Sequence, residues 1–198
     1  MNNEKTVRFH LKYFEILKAS KSMDFNMCSD LLMGNLMQTL AATKPGGRFL
    51  EIGTGMGLSA TWILNGMDAQ STLLSVDNNP GLISLVHQFL GSDARLTLQT
   101  TDGGELIKSL SGQTFDFIFA DSWTGKYNTL EETLQLVAPG GFYIVDDMLP
   151  QSNWPEDHQL SVDELLGKLD ALKDFHVCKM NWSTGVVVCV CKMETPIT

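Results

Sequence analysis

Three glycines at alternate positions follow an apolar run that ends in an acid, in the segment FLEIGTGMGL. Gly53, Gly55 and Gly57 would let a ligand approach bare backbone. A dinucleotide site needs its third glycine at the position that Leu58 occupies, and no Gly-Lys-Ser or Gly-Lys-Thr follows to make a phosphate loop. Glu51, two residues before the loop, would repel a pyrophosphate. The loop therefore favours a ligand that carries positive charge and no phosphate.

Two more acids follow the next two predicted strands. Asp77 ends the second strand, twenty residues after Gly57, where a carboxylate can accept hydrogen bonds from both hydroxyls of a ribose. Asp102 lies just beyond the third strand, where it could accept from the amino group of an adenine. One acid at a strand end is more often a solvated cap, but three at consecutive strand ends beside a glycine loop favour a nucleoside site. S-adenosylmethionine has a sulfonium, an ammonium and no phosphate, which is the chemistry that such a site requires.

The composition narrows the range of partners. The 198 residues carry a formal net charge of −9, which disfavours nucleic acid and anionic membranes because phosphate binding needs clustered Lys and Arg. No apolar run approaches the ~20 residues of a membrane span, and residues 1–6 do not resemble the start of a signal peptide. The four cysteines lack Cys-x-x-Cys spacing and are expected to be free thiols of a cytoplasmic protein. The expected partner is a small molecule.

Apolar patterning predicts two helices near the N-terminus, over 6–19 and 29–42. From Phe49 onward, short apolar strands alternate with helices. The predicted fifth strand begins at Phe142 after a Pro-Gly-Gly turn, and the last helix begins at Ser161 as part of a capping box. Such alternation is typical of an α/β fold with a parallel sheet.

The last two predicted strands, 175–180 and 186–191, have no helix between them and should be antiparallel. The chain is therefore predicted to be one domain over 1–198, with N-terminal helices in 1–44 and a doubly wound, mostly parallel sheet in 48–192. Ligands in such sheets bind outside the carboxyl ends of the strands.

Five segments in sequence order resemble the class I S-adenosylmethionine-dependent methyltransferases: EIGTGMGLSATWIL, SVDNNP, TTDGGEL, FDFIFADSWTGKY and GGFYIVDDML. The match is closest to the small O-methyltransferases of the catechol and caffeoyl-CoA type, over residues 27–149. The resemblance implies a seven-stranded Rossmann-like sheet in the order 3-2-1-4-5-7-6, with helices on both faces and the last strand antiparallel. The resemblance leaves the oligomeric state open, with a homodimer through the N-terminal helices as one option, since relatives are often such dimers.

The resemblance also assigns the cofactor site. The glycine loop would line the methionine part of the cofactor, the acid of the second strand would hold the ribose, and an aromatic residue would lie beside the cofactor. The residues implied are Met27, Ser29, Glu51, Gly53, Thr54, Gly55, Gly57, Ser59, Asp77, Asn78, Asp102, Gly103, Asp121 and Trp123.

Related O-methyltransferases hold a divalent metal with an Asp after strand four and an Asp-Asn pair after strand five. The matching residues are Asp121, Asp146 and Asp147. Three carboxylates suit a hard cation such as Mg²⁺, which would polarise the hydroxyl of the acceptor. Two positions depart from the family: Asp147 replaces its Asn, and Thr124 stands where a lysine often follows the first Asp. The resemblance implies Mg²⁺-assisted transfer, with Asp121 and Asp147 among the catalytic residues.

The sequence leaves the general base open. Lys126 could act as the base or lie as a solvated loop lysine. Without a metal, repulsion among the three acids would raise the pKa of one of them, which could then be the base. His158, in the long loop after strand five, could also take a proton, although a loop histidine without a role is more common. Trp154 in the same loop could wall a planar acceptor.

The first interpretation is therefore methyl transfer from S-adenosylmethionine to a hydroxyl of a small acceptor, with an aromatic acceptor as one option. Methylation of a nitrogen or of a macromolecule stays open, although ADSW after strand four differs from the Asn-Pro-Pro-Tyr type used for planar amino groups. A non-catalytic protein that binds S-adenosylmethionine also stays open. A nucleotide-dependent dehydrogenase ranks last, since Glu51 and Leu58 oppose it.

Overall fold

A computed structural model describes residues 7–151, 154–155 and 157–193. Helices and strands alternate along most of this part of the chain. The helices are α1 Tyr13–Ser22, α2 Leu31–Ala41, α3 Leu58–Gly66, α4 Pro80–Leu90, α5 Gly103–Ser109, α6 Leu130–Gln135 and α7 His158–Asp170. The strands are β1 Arg48–Ile52, β2 Thr72–Asp77, β3 Leu96–Thr100, β4 Phe115–Ala120, β5 Val137–Val145, β6 Phe175–Met180 and β7 Val186–Cys191.

The seven strands form one sheet in the order β3-β2-β1-β4-β5-β7-β6, as predicted. β2 and β3 are parallel, as are β1 with β4 and β4 with β5. β7 runs antiparallel to both β5 and β6, which confirms the reversed last strand. No helix among the described residues is long and apolar enough to cross a membrane.

Two compact units share the chain. The first holds the described residues up to 47 together with Gly53–Thr101. Its helical core is aromatic: the rings of Tyr13 and Trp62 lie 5.1 Å apart, and Phe9 packs on both. α2 lies against α3 at Gly34, where a Cβ atom would be only 2.3 Å from the Trp62 ring. A glycine is therefore needed at this helix contact.

The second unit holds Arg48–Ile52 and the described residues from Asp102 onward. The carboxyl ends of its parallel strands are in register, since Ala120 pairs with both Ile52 and Val145. Residues that follow β4 and β5 therefore leave the sheet at the same edge. Tyr143 in β5 is completely buried, and its hydroxyl donates to the carbonyl oxygen of Gly125 at 2.6 Å. That bond fixes the loop after β4 against the sheet.

Some predicted boundaries were wrong. Position 6 lies outside the described residues, and 7–12 are not helical, so α1 begins at Tyr13. α2 begins after Asp30, whose carboxylate accepts from the amides of Leu32 and Met33 and so caps the helix. Side-chain capping at Asp30 therefore sets the start of this helix.

β5 and α7 also begin earlier than predicted. β5 starts at Val137, so the Pro-Gly-Gly segment lies inside the strand, where the pairing with β4 shifts register between Phe115 and Phe117. α7 begins at His158, three residues before the predicted start at Ser161. His158 therefore belongs to a helix rather than to the preceding loop.

Candidate functional site

The glycine loop of the first unit has a left-handed backbone at each glycine. The φ angles of Gly53, Gly55 and Gly57 are 105°, 51° and 82°, a region that side chains rarely tolerate. The amides of Gly53 and Thr54 both donate to the carbonyl oxygen of Val76, at 2.9 and 3.0 Å. The end of β2 therefore holds the start of the loop.

Asp77 ties the same loop from its side chain. One carboxylate oxygen accepts from the amide of Gly55 at 2.9 Å, and the other accepts from the amide of Asn79 at 2.9 Å. Asn79 in turn caps α4, and Asn78 is exposed. A carboxylate has about four acceptor positions, so Asp77 keeps capacity for ribose hydroxyls while it holds the loop.

The other residues of this unit that are predicted to bind the cofactor differ in how far they are buried. Thr54 is buried and shares a 2.6 Å hydrogen bond with the Ser75 hydroxyl, and Ser59 is buried in the first turn of α3. Met27 is 68% exposed. The hydroxyl oxygen of Ser29 is buried with no hydrogen-bond partner in the described part of the chain. A buried hydroxyl of this kind is a candidate to meet a ligand.

Phe25 lies over the glycine loop, which sequence reasoning missed. α1 ends in a Schellman motif: Asp24 has φ 52°, its amide bonds to Lys21 and the amide of Phe25 bonds to Ser20. This places the ring so that a Cβ atom on Gly55 would be 3.2 Å from the ring. No spacing rule in the sequence connects an aromatic before α2 with a glycine after β1.

The second unit holds the other cofactor candidates. Glu51 is completely buried in β1, and Trp123 is 51% exposed. The Asp102 carboxylate caps α5 by accepting from the amides of Gly104 and Glu105. A Cβ atom on Gly103 would be 3.0 Å from the Thr124 methyl group. The adenine role of Asp102 and Gly103 stays a prediction.

The three predicted metal ligands emerge from the ends of β4 and β5. The amide of Asp121 donates to Ile52 at 2.9 Å, which fixes the chain as it leaves β4. Asp146 is 3% exposed, and one of its carboxylate oxygens accepts from both the Thr184 hydroxyl and the Asp147 amide. Asp147 has φ 57°, an uncommon conformation for a residue other than glycine.

Lys126 lies among these acids. Its side chain is 4% exposed, and its ammonium donates to the backbone carbonyl of Asp146 at 2.6 Å. The interpretation of Lys126 as a solvated loop lysine was therefore wrong, because the loop after β4 folds its side chain inward.

Burial dominates the electrostatics of the acids. Burial raises the pKa of Asp121 to about 6, with Lys126 opposing and Asp147 adding to the rise. The pKa of Asp146 is raised to about 7 by burial and by the charge of Asp121, against the hydrogen bond from Thr184. The sequence-based prediction attributed a raised pKa to repulsion among the acids, whereas burial is the larger cause at both Asp121 and Asp146.

Four rings gather beside the acids: Trp123, Tyr127, Trp154 and His158. The Trp154 ring is centred 4.2 Å from His158, and Trp123 meets the same imidazole edge-on at 5.3 Å. Tyr127 Oη and His158 Nε2 are 3.1 Å apart and share a hydrogen bond. Burial lowers the pKa of His158, with Lys126 adding to the fall and Asp147 opposing it. The lowered pKa favours the neutral imidazole, which lies among the other three rings.

A known protein family matches the part of the chain that carries most of this site. The family described as "Methyltransferase domain" matches residues 50–148, which run from β1 through the pair of acids after β5. The chain belongs to this family. The sequence-based prediction of a methyltransferase is confirmed.

A curated relative of this methyltransferase matches part of the chain. A Mycobacterium avium (strain 104) protein provisionally named an O-methyltransferase is 27% identical over 118 residues, 57% of this chain and 53% of the relative. The chain thus spans about half the length of the curated relatives it matches.

Two solved structures have the same fold. An O-methyltransferase from Bacillus cereus in complex with SAH has a TM-score of 0.81 at 18% identity, over 96% of this chain and 94% of that one. The O-methyltransferase TomG from Streptomyces achromogenes, in complex with SAM, has a TM-score of 0.82 at 18% identity, over 96% and 93%.

The acids of this methyltransferase do not fit the predicted Mg²⁺ site. Within the described ranges, no group of three His, Cys, Asp or Glu side chains is arranged to hold a metal ion. One oxygen of Asp146 is already engaged by a hydroxyl and an amide, and the ammonium of Lys126 lies in the cluster. A divalent ion needs several free oxygens in one shell.

Proposed function

We propose that this chain is an S-adenosylmethionine-dependent O-methyltransferase that acts on a hydroxyl of a small, planar acceptor. The observation that supports binding of this cofactor is the hydrogen bond from the amide of Gly55 to the carboxylate of Asp77. The group that holds this glycine loop is a carboxylate, rather than a lysine or a row of free amides. Because a carboxylate repels a pyrophosphate, the loop suits a ribose and a positively charged group better. The two similar solved structures, which contain SAH and SAM, support binding of this cofactor.

The residues of the first unit fit such a cofactor. The three left-handed glycines leave backbone exposed, and Phe25 covers the loop. The hydroxyl of Ser29, buried without a partner among the described residues, offers a donor and an acceptor. When bound, S-adenosylmethionine supplies a methyl group already activated by its sulfonium, so the protein has to orient the acceptor and remove one proton.

We propose His158 as the group that removes this proton. Its lowered pKa leaves the imidazole neutral near pH 7 and able to accept a proton. The hydrogen bond with Tyr127 and the tilted ring of Trp154, centred 4.2 Å away, restrain the imidazole. The negative charge of Asp147 favours the imidazolium that forms once the proton has moved. Lys126 is the less favoured candidate, because an ammonium has to lose a proton before it can act as a base and this one donates to a backbone carbonyl.

The aromatic pocket supports a planar acceptor. Trp123, Tyr127 and Trp154 surround His158, and half of the Trp123 surface is exposed for stacking. An acceptor ring placed against Trp123 would bring its hydroxyl within reach of the imidazole. This arrangement favours an aromatic alcohol or phenol over a flexible aliphatic one.

The test is transfer of labelled methyl from S-adenosylmethionine to a panel of phenols, aliphatic alcohols and amines. We expect phenols to be methylated on oxygen, and His158→Asn to reduce kcat roughly 10²–10⁴-fold, the range for a general base. Gln159→Ala, at the neighbouring position on α7, is the control and should keep full activity. Cofactor binding without transfer to any acceptor would favour the non-catalytic alternative.

A further inference from the structure

Lys126 is a buried cation, and its side chain does not reach the solvent. It is 4% exposed, although it lies in the loop after β4. Burying an ammonium is unfavourable unless it is paired and hydrogen-bonded. Here it donates to the carbonyl oxygen of Asp146 at 2.6 Å. Its charge opposes the rise in the pKa of Asp121, although no ion pair joins it to a carboxylate among the described residues.

One of the acids around it, Asp146, is turned toward partners within the protein. Asp146 directs one oxygen to the Thr184 hydroxyl in the loop between β6 and β7 and to the amide of Asp147. That amide is available because Asp147 adopts a left-handed backbone. A divalent ion that used this oxygen of Asp146 would have to displace both bonds.

The charge at this edge of the sheet is already partly balanced. Asp121, Asp146 and Asp147 act on one another as like charges, and Lys126 is the cation that opposes them at Asp121. A divalent ion bound by these acids would be repelled by the nearby ammonium, because little water screens charges in a buried site.

We infer that the ammonium of Lys126 supplies the positive charge that balances the cluster formed by Asp121, Asp146 and Asp147, and that the cluster therefore does not bind a divalent metal. Its consequence for catalysis, transfer without a metal ion, rests on the proposed function. The charge balance by Lys126 does not depend on the proposed function, and it can be tested without an acceptor or a cofactor.

The test is Mn²⁺ binding, followed by the electron paramagnetic resonance signal of free Mn²⁺ in protein freed of metal with a chelator. The wild-type protein and Lys126→Arg, which keeps the cation, should leave the signal of free Mn²⁺ unchanged. Lys126→Met removes the charge and should bind about one Mn²⁺ per chain, with a higher melting temperature when Mn²⁺ is present. Lys108→Met, which removes an exposed lysine of α5, should bind none.

Two results would overturn the inference. One is stoichiometric Mn²⁺ binding by the wild-type protein that disappears in Asp147→Asn. The other is a folded Lys126→Met protein that gains no Mn²⁺ affinity. If Lys126→Met does not fold, the wild-type and Lys126→Arg titrations still decide, because tight binding by either contradicts charge balance by the ammonium. Calorimetry with S-adenosylhomocysteine on the same samples reports the proposed function separately.

Discussion

The amide of Gly55 donates a hydrogen bond of 2.9 Å to the carboxylate of Asp77. Gly55 lies in the loop between β1 and α3, and Asp77 is the last residue of β2, so this bond joins the loop to the neighbouring strand. Asp77 therefore has two tasks: it shapes the glycine loop, and it offers its remaining acceptor positions to a ribose.

Asp77→Asn should weaken cofactor binding. The change keeps the shape of the side chain but replaces charge-assisted hydrogen bonds with neutral ones, which should cost about 1–3 kcal/mol of binding free energy. Isothermal titration with S-adenosylhomocysteine measures it. Asp163→Asn, an exposed acid on α7, is the control. Equal affinity in both variants would show that Asp77 only caps the turn.

The pH dependence of transfer should follow His158. Because its pKa is lowered, the imidazole is neutral at pH 7, and kcat/KM should fall only as the pH drops below the ordinary range of histidine. Tyr127→Phe removes the hydrogen bond at Nε2, so it should reduce kcat and shift this acid limb. A pH profile for Tyr127→Phe that superimposes on the wild-type profile would argue against His158 as the base.

Two glycine-to-alanine changes in helices should have opposite effects on stability. Gly34→Ala places a Cβ atom 2.3 Å from the Trp62 ring and should lower the free energy of unfolding by about 1–3 kcal/mol. Gly167→Ala, in α7, meets no atom within 4 Å and should raise it by up to about 1 kcal/mol. Urea unfolding of both variants measures the difference. The helix contact would be misassigned if Gly34→Ala were as stable as the parent.

Asp93 should contribute a pH-dependent part of the stability. Its pKa is lowered chiefly by hydrogen bonds from the Arg95 guanidinium, 2.7 Å away at the closest, and both side chains are half-buried. A lowered folded-state pKa gives stability that is present above the unfolded pKa and is lost as the pH falls through the folded value. Asp93→Asn should therefore be less stable than the parent at pH 7, and the gap should close in acid. A difference in stability between Asp93→Asn and the parent that persists at low pH would contradict this ion pair.

Much of the fold could be predicted because it follows from local patterns. Short apolar strands that alternate with helices fix a parallel sheet, and two strands without a helix between them must be antiparallel. The glycine spacing and the acid that ends β2 pointed to the cofactor loop for the same reason. These features depend on residues close together in the chain.

The interior of the acidic cluster could not be predicted, because it depends on distant contacts. Thr184 reaches Asp146 from the loop between β6 and β7, and only the folded sheet brings the two together. Lys126 looked like a surface residue because its neighbours in the sequence are polar. Phe25 reaches Gly55 only because α1 ends in a left-handed residue.

Titration of the wild-type protein with S-adenosylhomocysteine and, separately, with NAD tests the central claim most directly. We expect saturable binding of S-adenosylhomocysteine in the micromolar range and no heat from NAD. Glu51 would repel a pyrophosphate, and Leu58 stands where a dinucleotide loop needs its third glycine. Saturable binding of NAD with no response to S-adenosylhomocysteine would contradict the claim.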